Sequence, residues 1–144
     1  MRVLIDTCII IDALQSRTPF AKAAEDIFLL SANQAFTGYI TAKSLTDIYH
    51  LTHRCVHDTS EARNIAGKIC LLFDILDTAS TDVRRALISG ISDYEDAVMV
   101  ETAIRETIDC IVTRNGHDFR LSPIAVYSPE EFVERITSSQ GDKY

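Results

Sequence analysis

The chain has 144 residues, 47% hydrophobic and 24% charged, a composition that fits one ordinary globular domain and argues against disorder. No apolar stretch approaches the roughly 20 residues needed to cross a bilayer, and the opening run meets a carboxylate at Asp6 too early for a secretory signal, so a soluble cytoplasmic protein is expected. A net charge of −7 weighs against a broad basic face for nucleic acid, yet leaves room for a nuclease whose acids gather where divalent cations neutralise them.

Arg2-Val3-Leu4-Ile5 is a short apolar run closed by Asp6, the pattern of a buried central strand. Residues 21–32 place Ala24, Ile27, Phe28 and Leu30 at helical spacing. Residues 34–39 predict a second strand that ends near Gly38. Two longer helices follow, 41–55 with Leu45, Ile48 and Leu51 on one face, and 61–72 with Ile65, Ile69 and Leu72 in phase. A third strand is predicted over 73–76 and a helix over 81–88, stopping near Gly90. Ser92-Asp93-Tyr94-Glu95 has the form of a capping box and opens a helix with Ala97, Val100, Ala103, Ile104 and Ile108 inward. Strands at 109–113 and 124–127 come next, and Ser128-Pro129-Glu130-Glu131 starts a last helix with proline and acids where its first turn favours them. The alternation predicts an α/β fold with a mainly parallel sheet, one domain over 1–136 and a tail over 137–144.

The four cysteines, Cys8, Cys55, Cys70 and Cys110, form no Cys-x-x-Cys pair and are expected to be structural, Cys70 and Cys110 as small hydrophobes in apolar runs. His50, His53 and His57 could share a helical stripe with Asp47 and take zinc, but no second ligand cluster supports that reading.

In an open parallel sheet, ligands bind beyond the carboxyl ends of the strands. Asp6 follows the first strand there; Thr113, Asn115 and Asp118 follow the fourth. Asp93 and Asp96 open the helix leading into it, three residues apart and so on neighbouring parts of one face. Asp47 lies in the helix after the second strand. Carboxylates brought together repel, and a hard divalent cation such as Mg²⁺ or Mn²⁺ relieves them while keeping waters in its shell. Any one of these acids is equally at home as a helix cap, Asp93 above all. Asp12, Asp26, Asp58, Asp74, Asp77 and Asp82 are expected to face solvent or to cap.

Four segments, in order, resemble the motifs of the PIN domain, a family of Mg²⁺- or Mn²⁺-dependent nucleases that includes the toxins of VapBC-type toxin–antitoxin pairs. Leu4-Ile5-Asp6-Thr7 resembles the opening motif, and the stretch from Thr41 to Tyr49 is similar to the second, with Asp47 as its acid. Asp93-Tyr94-Glu95-Asp96-Ala97 resembles the third and the stretch from Ile111 to Phe119 the fourth. Two positions depart from the pattern: Asp47 stands where many relatives carry glutamate, and Cys8 where they often have Asn or Ser.

The resemblance implies a three-layer α/β/α fold, strand order 3-2-1-4-5, that cuts single-stranded RNA. It implies Asp6, Asp96 and Asp118 around one metal, directly or through water, Asp47 completing the acidic pocket and Asp93 helping a second, weaker site. Thr113, Thr7 and Asn115 would orient water or phosphate, and Arg114 would contact a phosphate or simply be a loop charge. An antitoxin covering the acidic cleft and self-association are the partners implied. A receiver domain would show paired acids after the first strand, and a haloacid-dehalogenase-type phosphatase a second aspartate at the position of Cys8; neither is present. The competing reading is a PIN-like module that binds without turnover.

Overall fold

The opening apolar run forms strand β1 (Arg2–Ile5), with Val3, Leu4 and Ile5 fully buried. The computed structural model describes residues 1–142, and within them β1 is the middle of a five-stranded sheet. Strands β2 (Thr37–Thr41), β3 (Asp74–Leu76), β4 (Cys110–Val112) and β5 (Ala125–Tyr127) join it in the order β3-β2-β1-β4-β5, every pair parallel. Parallel neighbours need crossover connections, and helices supply them. Helices α1 (Thr7–Leu14) and α2 (Ala21–Ala32) lead from β1 to β2, and α3 (Ala42–Val56) and α4 (Thr59–Leu72) from β2 to β3. Helices α5 (Ser80–Ala86) and α6 (Tyr94–Arg105) cross to β4, a 3-10 turn (Gly116–Phe119) precedes β5, and α7 (Pro129–Gly141) follows it.

Strand side chains alternate between two faces, and each face has its own core. Val3, Ile5, Ile40, Cys110 and Val112 meet residues of α1, α2, α3, α4 and α7, including Ile9, Ile10, Ile27, Ile48, Ile69 and Phe132. Leu4, Tyr39, Leu76 and Ile111 meet α5 and α6 through Ala86, Ala97, Val100 and Ala103. The result is a three-layer α/β/α fold with the expected strand order 3-2-1-4-5.

Several local expectations need correction. Helix α1 is an addition to the expected elements: it is only eight residues long and strongly apolar, with Ile9, Ile10 and Ile11 all buried. Strand β2 starts later than predicted and contains Gly38 instead of ending at it. A Cβ at Gly38 would lie 2.6 Å from Phe73 Cδ1, so this glycine admits an aromatic ring and marks no turn. The N-cap of α6 is Asp93, whose carboxylate accepts the Asp96 N–H at 2.9 Å; the Ser92–Glu95 box does not form. The Ser128–Glu131 box does form, and its helix runs to Gly141, into the stretch read as a tail; residues 143–144 lie outside the described residues. Cys110 is buried as expected, whereas Cys70 is exposed, on the outer face of α4. Asp12 and Asp82 are each 1% exposed, contrary to a solvent-facing role for both. Asp82 does cap, accepting the Ala79 N–H at 2.8 Å.

Candidate active site

The chain leaves β1 toward β2 on one side, while β4 joins β1 on the other, so the strand order switches between β1 and β4. The register pairs Ile5 with Val112, which brings the next residues, Asp6 and Thr113, side by side at the carboxyl ends. Thr113 Oγ1 donates to Asp6 Oδ2 at 2.7 Å, and the Asn115 N–H donates to the same threonine oxygen at 3.0 Å. Thr113 is fully buried, and its hydroxyl locks the loop after β4 to the acid after β1.

Asp6 occupies the N-cap position of α1 in extended conformation, yet its side chain caps nothing. It is 8% exposed, and burial raises its pKa against the opposing bonds from Thr113 and Cys8. The Cys8 thiol, 3.5 Å from Asp6 Oδ2, is itself pushed up to about 12 by burial and by that carboxylate. An acid that forgoes its local cap and accepts a desolvated place is unlike an ordinary helix-start aspartate.

Asp96, in the first turn of α6, is half-buried. Its carboxyl is pushed up to about 7, first by burial and then by the charges of Asp93, Asp6, Asp118 and Glu95. Asp118, in the 3-10 turn, and Asp93, the α6 cap, are both exposed. Four of the expected residues, Asp6, Thr7, Asp47 and Asp96, line one cavity of about 670 Å³. Thr113 and Arg114 line a neighbouring hollow beside β5, and Asp118, Asp93 and Asn115 belong to the wall of neither. Asp118 and Asp93 still act on Asp96 through their charge.

Asp47 is held by Lys43 on the preceding turn of α3, at 2.5 Å, and the same ammonium reaches Glu95 of α6 at 3.1 Å. Lys43 and Glu95 were not picked out from the sequence; the spacing of four between Lys43 and Asp47 was the available signal. The cavity also has apolar walls from Leu51, Val83, Val98 and Met99. Arg114 gives Nε and Nη2 to Asp12, at 2.6 and 3.2 Å, and stacks over Phe20. The histidines of α3 do not form a metal cluster: His57 is its left-handed C-cap, and His53 Nε2 lies 3.4 Å from Thr59 Oγ1.

Among the described residues no group of three or more His, Cys, Asp or Glu side chains is arranged to hold a metal ion by itself. The donors nearest the sheet's end are nonetheless carboxylates and a hydroxyl, the chemistry of a hard cation that keeps part of its water shell. Burial disfavours the ionised forms of both Asp6 and Asp96, and the neighbouring carboxylates add to that at Asp96, a cost that a bound cation would offset. The residues present therefore fit a hard divalent cation held partly through water.

The PIN domain family model matches residues 2–117. The chain belongs to the PIN-domain family. Solved structures share its fold at low sequence identity. A toxin–antitoxin complex from Klebsiella pneumoniae is 21% identical, with a TM-score of 0.64, covering 88% of this chain and 97% of that one. VapBC2 from Rickettsia felis, bound to a DNA fragment from its promoter, is 17% identical with a TM-score of 0.63, covering 89% and 98%. The Mycobacterium tuberculosis toxin VapC20, described as cleaving the sarcin–ricin loop, is 14% identical with a TM-score of 0.60, covering 76% and 86%. Comparison with curated proteins gives no sequence match. Among the described residues of this PIN domain, no helix is long and apolar enough to cross a membrane.

Proposed function

We propose that this PIN domain is a metal-dependent endoribonuclease that hydrolyses phosphodiester bonds of single-stranded RNA in the cytoplasm. The observation that carries the reading is that Asp6, at the end of β1, and Asp96, in the first turn of α6, line one cavity, where burial and the charges of Asp93, Asp6 and Asp118 push Asp96 up to about 7. Asp6, Asp96 and Asp118 would hold Mg²⁺ or Mn²⁺, with Asp93 beside them. Bound there, the ion supplies positive charge for a phosphate and for the water that attacks it.

The chain's own residues prepare that place. Thr113, fixed by the Asn115 N–H, directs its proton to Asp6 Oδ2, so the carboxylate is oriented before any ligand arrives. Thr7, at the start of α1, and Asn115, after β4, would give hydrogen bonds to a phosphate oxygen. Arg114 anchors the loop through Asp12, and its Nη1, which has no hydrogen-bond partner among the described residues, would donate to a phosphate. RNA as substrate is supported by the family and by the described activity of VapC20. A toxin role with an antitoxin partner is supported by the complexes of the fold neighbours. The apolar wall of Leu51, Val83, Val98 and Met99 beside the acids suits a partner segment with both hydrophobic and basic residues.

Cleavage of a labelled single-stranded RNA with Mn²⁺, and with chelator instead, tests the proposal. Wild type should cut only with the ion, and Asp96→Asn should lose activity by at least about a hundredfold, the scale of removing one charge-stabilising group. The tie between Lys43 and Asp47 favours a second reading, a PIN domain that binds without cutting. Equal background cleavage by wild type and Asp96→Asn would select it.

A further inference from the structure

Each phosphate of an RNA strand is joined to a nucleoside on either side, so a phosphate held at Asp6 and Asp96 brings nucleosides into the space flanking those acids. Two hollows meet there: Asp6 lines one, and Thr113, bonded to Asp6, lines the other. They differ in chemistry. The first is the cavity of about 670 Å³, which continues from the acids to the apolar wall of Leu51, Val83, Val98 and Met99. Ordinary ligand sites have this mostly apolar lining and volumes of about 300–1,000 Å³. The second carries Arg114 and Arg120, and its aromatic residues are already covered. Phe119 is buried there, and Tyr127 has the Arg135 guanidinium 4.7 Å from its ring centre.

Tyr94, the first residue of α6, stands on the wall of the apolar cavity, two residues before Asp96. It is 45% exposed, yet its hydroxyl donates to Val83 O of α5 at 3.0 Å, which holds the ring in place. A fixed and exposed aromatic ring is a platform on which an unpaired base stacks. We infer that the apolar cavity receives the base of the nucleotide on one side of the scissile phosphate, stacked on Tyr94, while the nucleotide on the other side is held by its backbone at the arginine-lined hollow. The inference rests on the ribonuclease reading above and adds to it which groups of the RNA the protein grips.

An RNA strand cut at one mapped bond in Mn²⁺ tests this, with an abasic nucleotide placed in turn on each side of the bond. On one side the missing base should raise KM about tenfold, the scale of losing one base–aromatic stack, and on the other it should change nothing. Tyr94→Ala should raise KM by the same factor with kcat kept, and should bind the abasic strand no worse, because both changes delete one contact. Tyr94→Phe keeps the ring and loses the bond to Val83, so it should behave as wild type; a tyrosine that only braces α5 against α6 would fail there. Anisotropy of the labelled strand on Asp96→Asn gives a readout without turnover, and adding Tyr94→Ala should weaken binding about tenfold. Circular dichroism checks that each variant is folded. Equal effects of the abasic nucleotide on the two sides would overturn the inference. So would a folded Tyr94→Ala with unchanged KM and unchanged binding, which would leave the apolar wall to a polypeptide partner. A wild type that binds the strand without cutting it would overturn the ribonuclease reading, and the anisotropy of the Tyr94 variants would still decide the base pocket.

Discussion

Asp12 and Asp6 lie on the same short stretch, yet burial gives them different work. Asp12 is 1% exposed and takes two hydrogen bonds from Arg114, 102 residues away, in the forked geometry that suits a guanidinium and a carboxylate. Removing one partner of such a pair leaves a buried charge unanswered, at a cost of about 3–5 kcal/mol. Arg114→Ala should therefore lower the unfolding free energy by about 3 kcal/mol in a urea titration, the lower end because the arginine side chain is 25% exposed. Wild-type stability combined with weakened RNA binding would instead make Arg114 a phosphate contact first. Sequence alone showed Asp6, Asp96 and Thr113 because each stands at an element's end, where position announces a role. It could not show Asp12, whose partner is distant in the chain, nor the choice of Asp6 to bond Thr113 in preference to the open end of α1.

Elements meet through equally specific contacts, and α5 and α6 are joined by one that responds to pH. Asp82 of α5 accepts from Arg105 Nε at 2.9 Å and from Thr102 Oγ1 at 3.0 Å, both on α6, while capping its own helix. Burial works against its ionised form, but the bonds from Arg105, Ala79 and Thr102 outweigh it and hold the carboxyl below its ordinary range. A carboxyl with a lowered folded pKa contributes its stability above the unfolded value of about 3.9 and loses it as pH falls through the folded one. The wild-type melting temperature should thus fall steeply on acidification below about pH 4, and Asp82→Asn, less stable at neutrality, should show a shallower slope there. Parallel slopes in the two proteins would remove Asp82 from this role. The helices α2, α3, α4 and α6 were legible because each hides one stripe and wets the other. Helix α1 was not, since eight strongly apolar residues are too short a run to tell a buried helix from a strand, and the limits of β2 were misjudged because Gly38 was read as punctuation when it is a packing position.

At the scale of the whole molecule, the layer carrying α1 to α4 is completed by α7, which comes after the residues that match the family model. Phe132 is 1% exposed and meets Phe36 edge-on with centroids 5.0 Å apart, and Ile136 is 7% exposed. From Thr137 onward every described residue of the helix is exposed, so the helix continues past the point where it contributes to the core. Losing a buried phenylalanine costs about 3–5 kcal/mol and a buried isoleucine about 2–5 kcal/mol. Together these approach the whole stability of a typical domain, about 5–15 kcal/mol. A chain ending at Ser128 should therefore fail to give a cooperative unfolding transition, whereas one ending at Ile136 should keep it and lose no more than about 1 kcal/mol. The proposed metal-binding acids lie outside α7, so the chain ending at Ile136 should also match the full chain in Mn²⁺ binding. If the chain ending at Ser128 unfolded cooperatively with near-normal stability, the domain would close at β5 and α7 would be an appendage. The burial of Phe132 against the far end of the same core that supports β1 argues the opposite, because the strand that presents Asp6 is held from that side by the layer α7 completes.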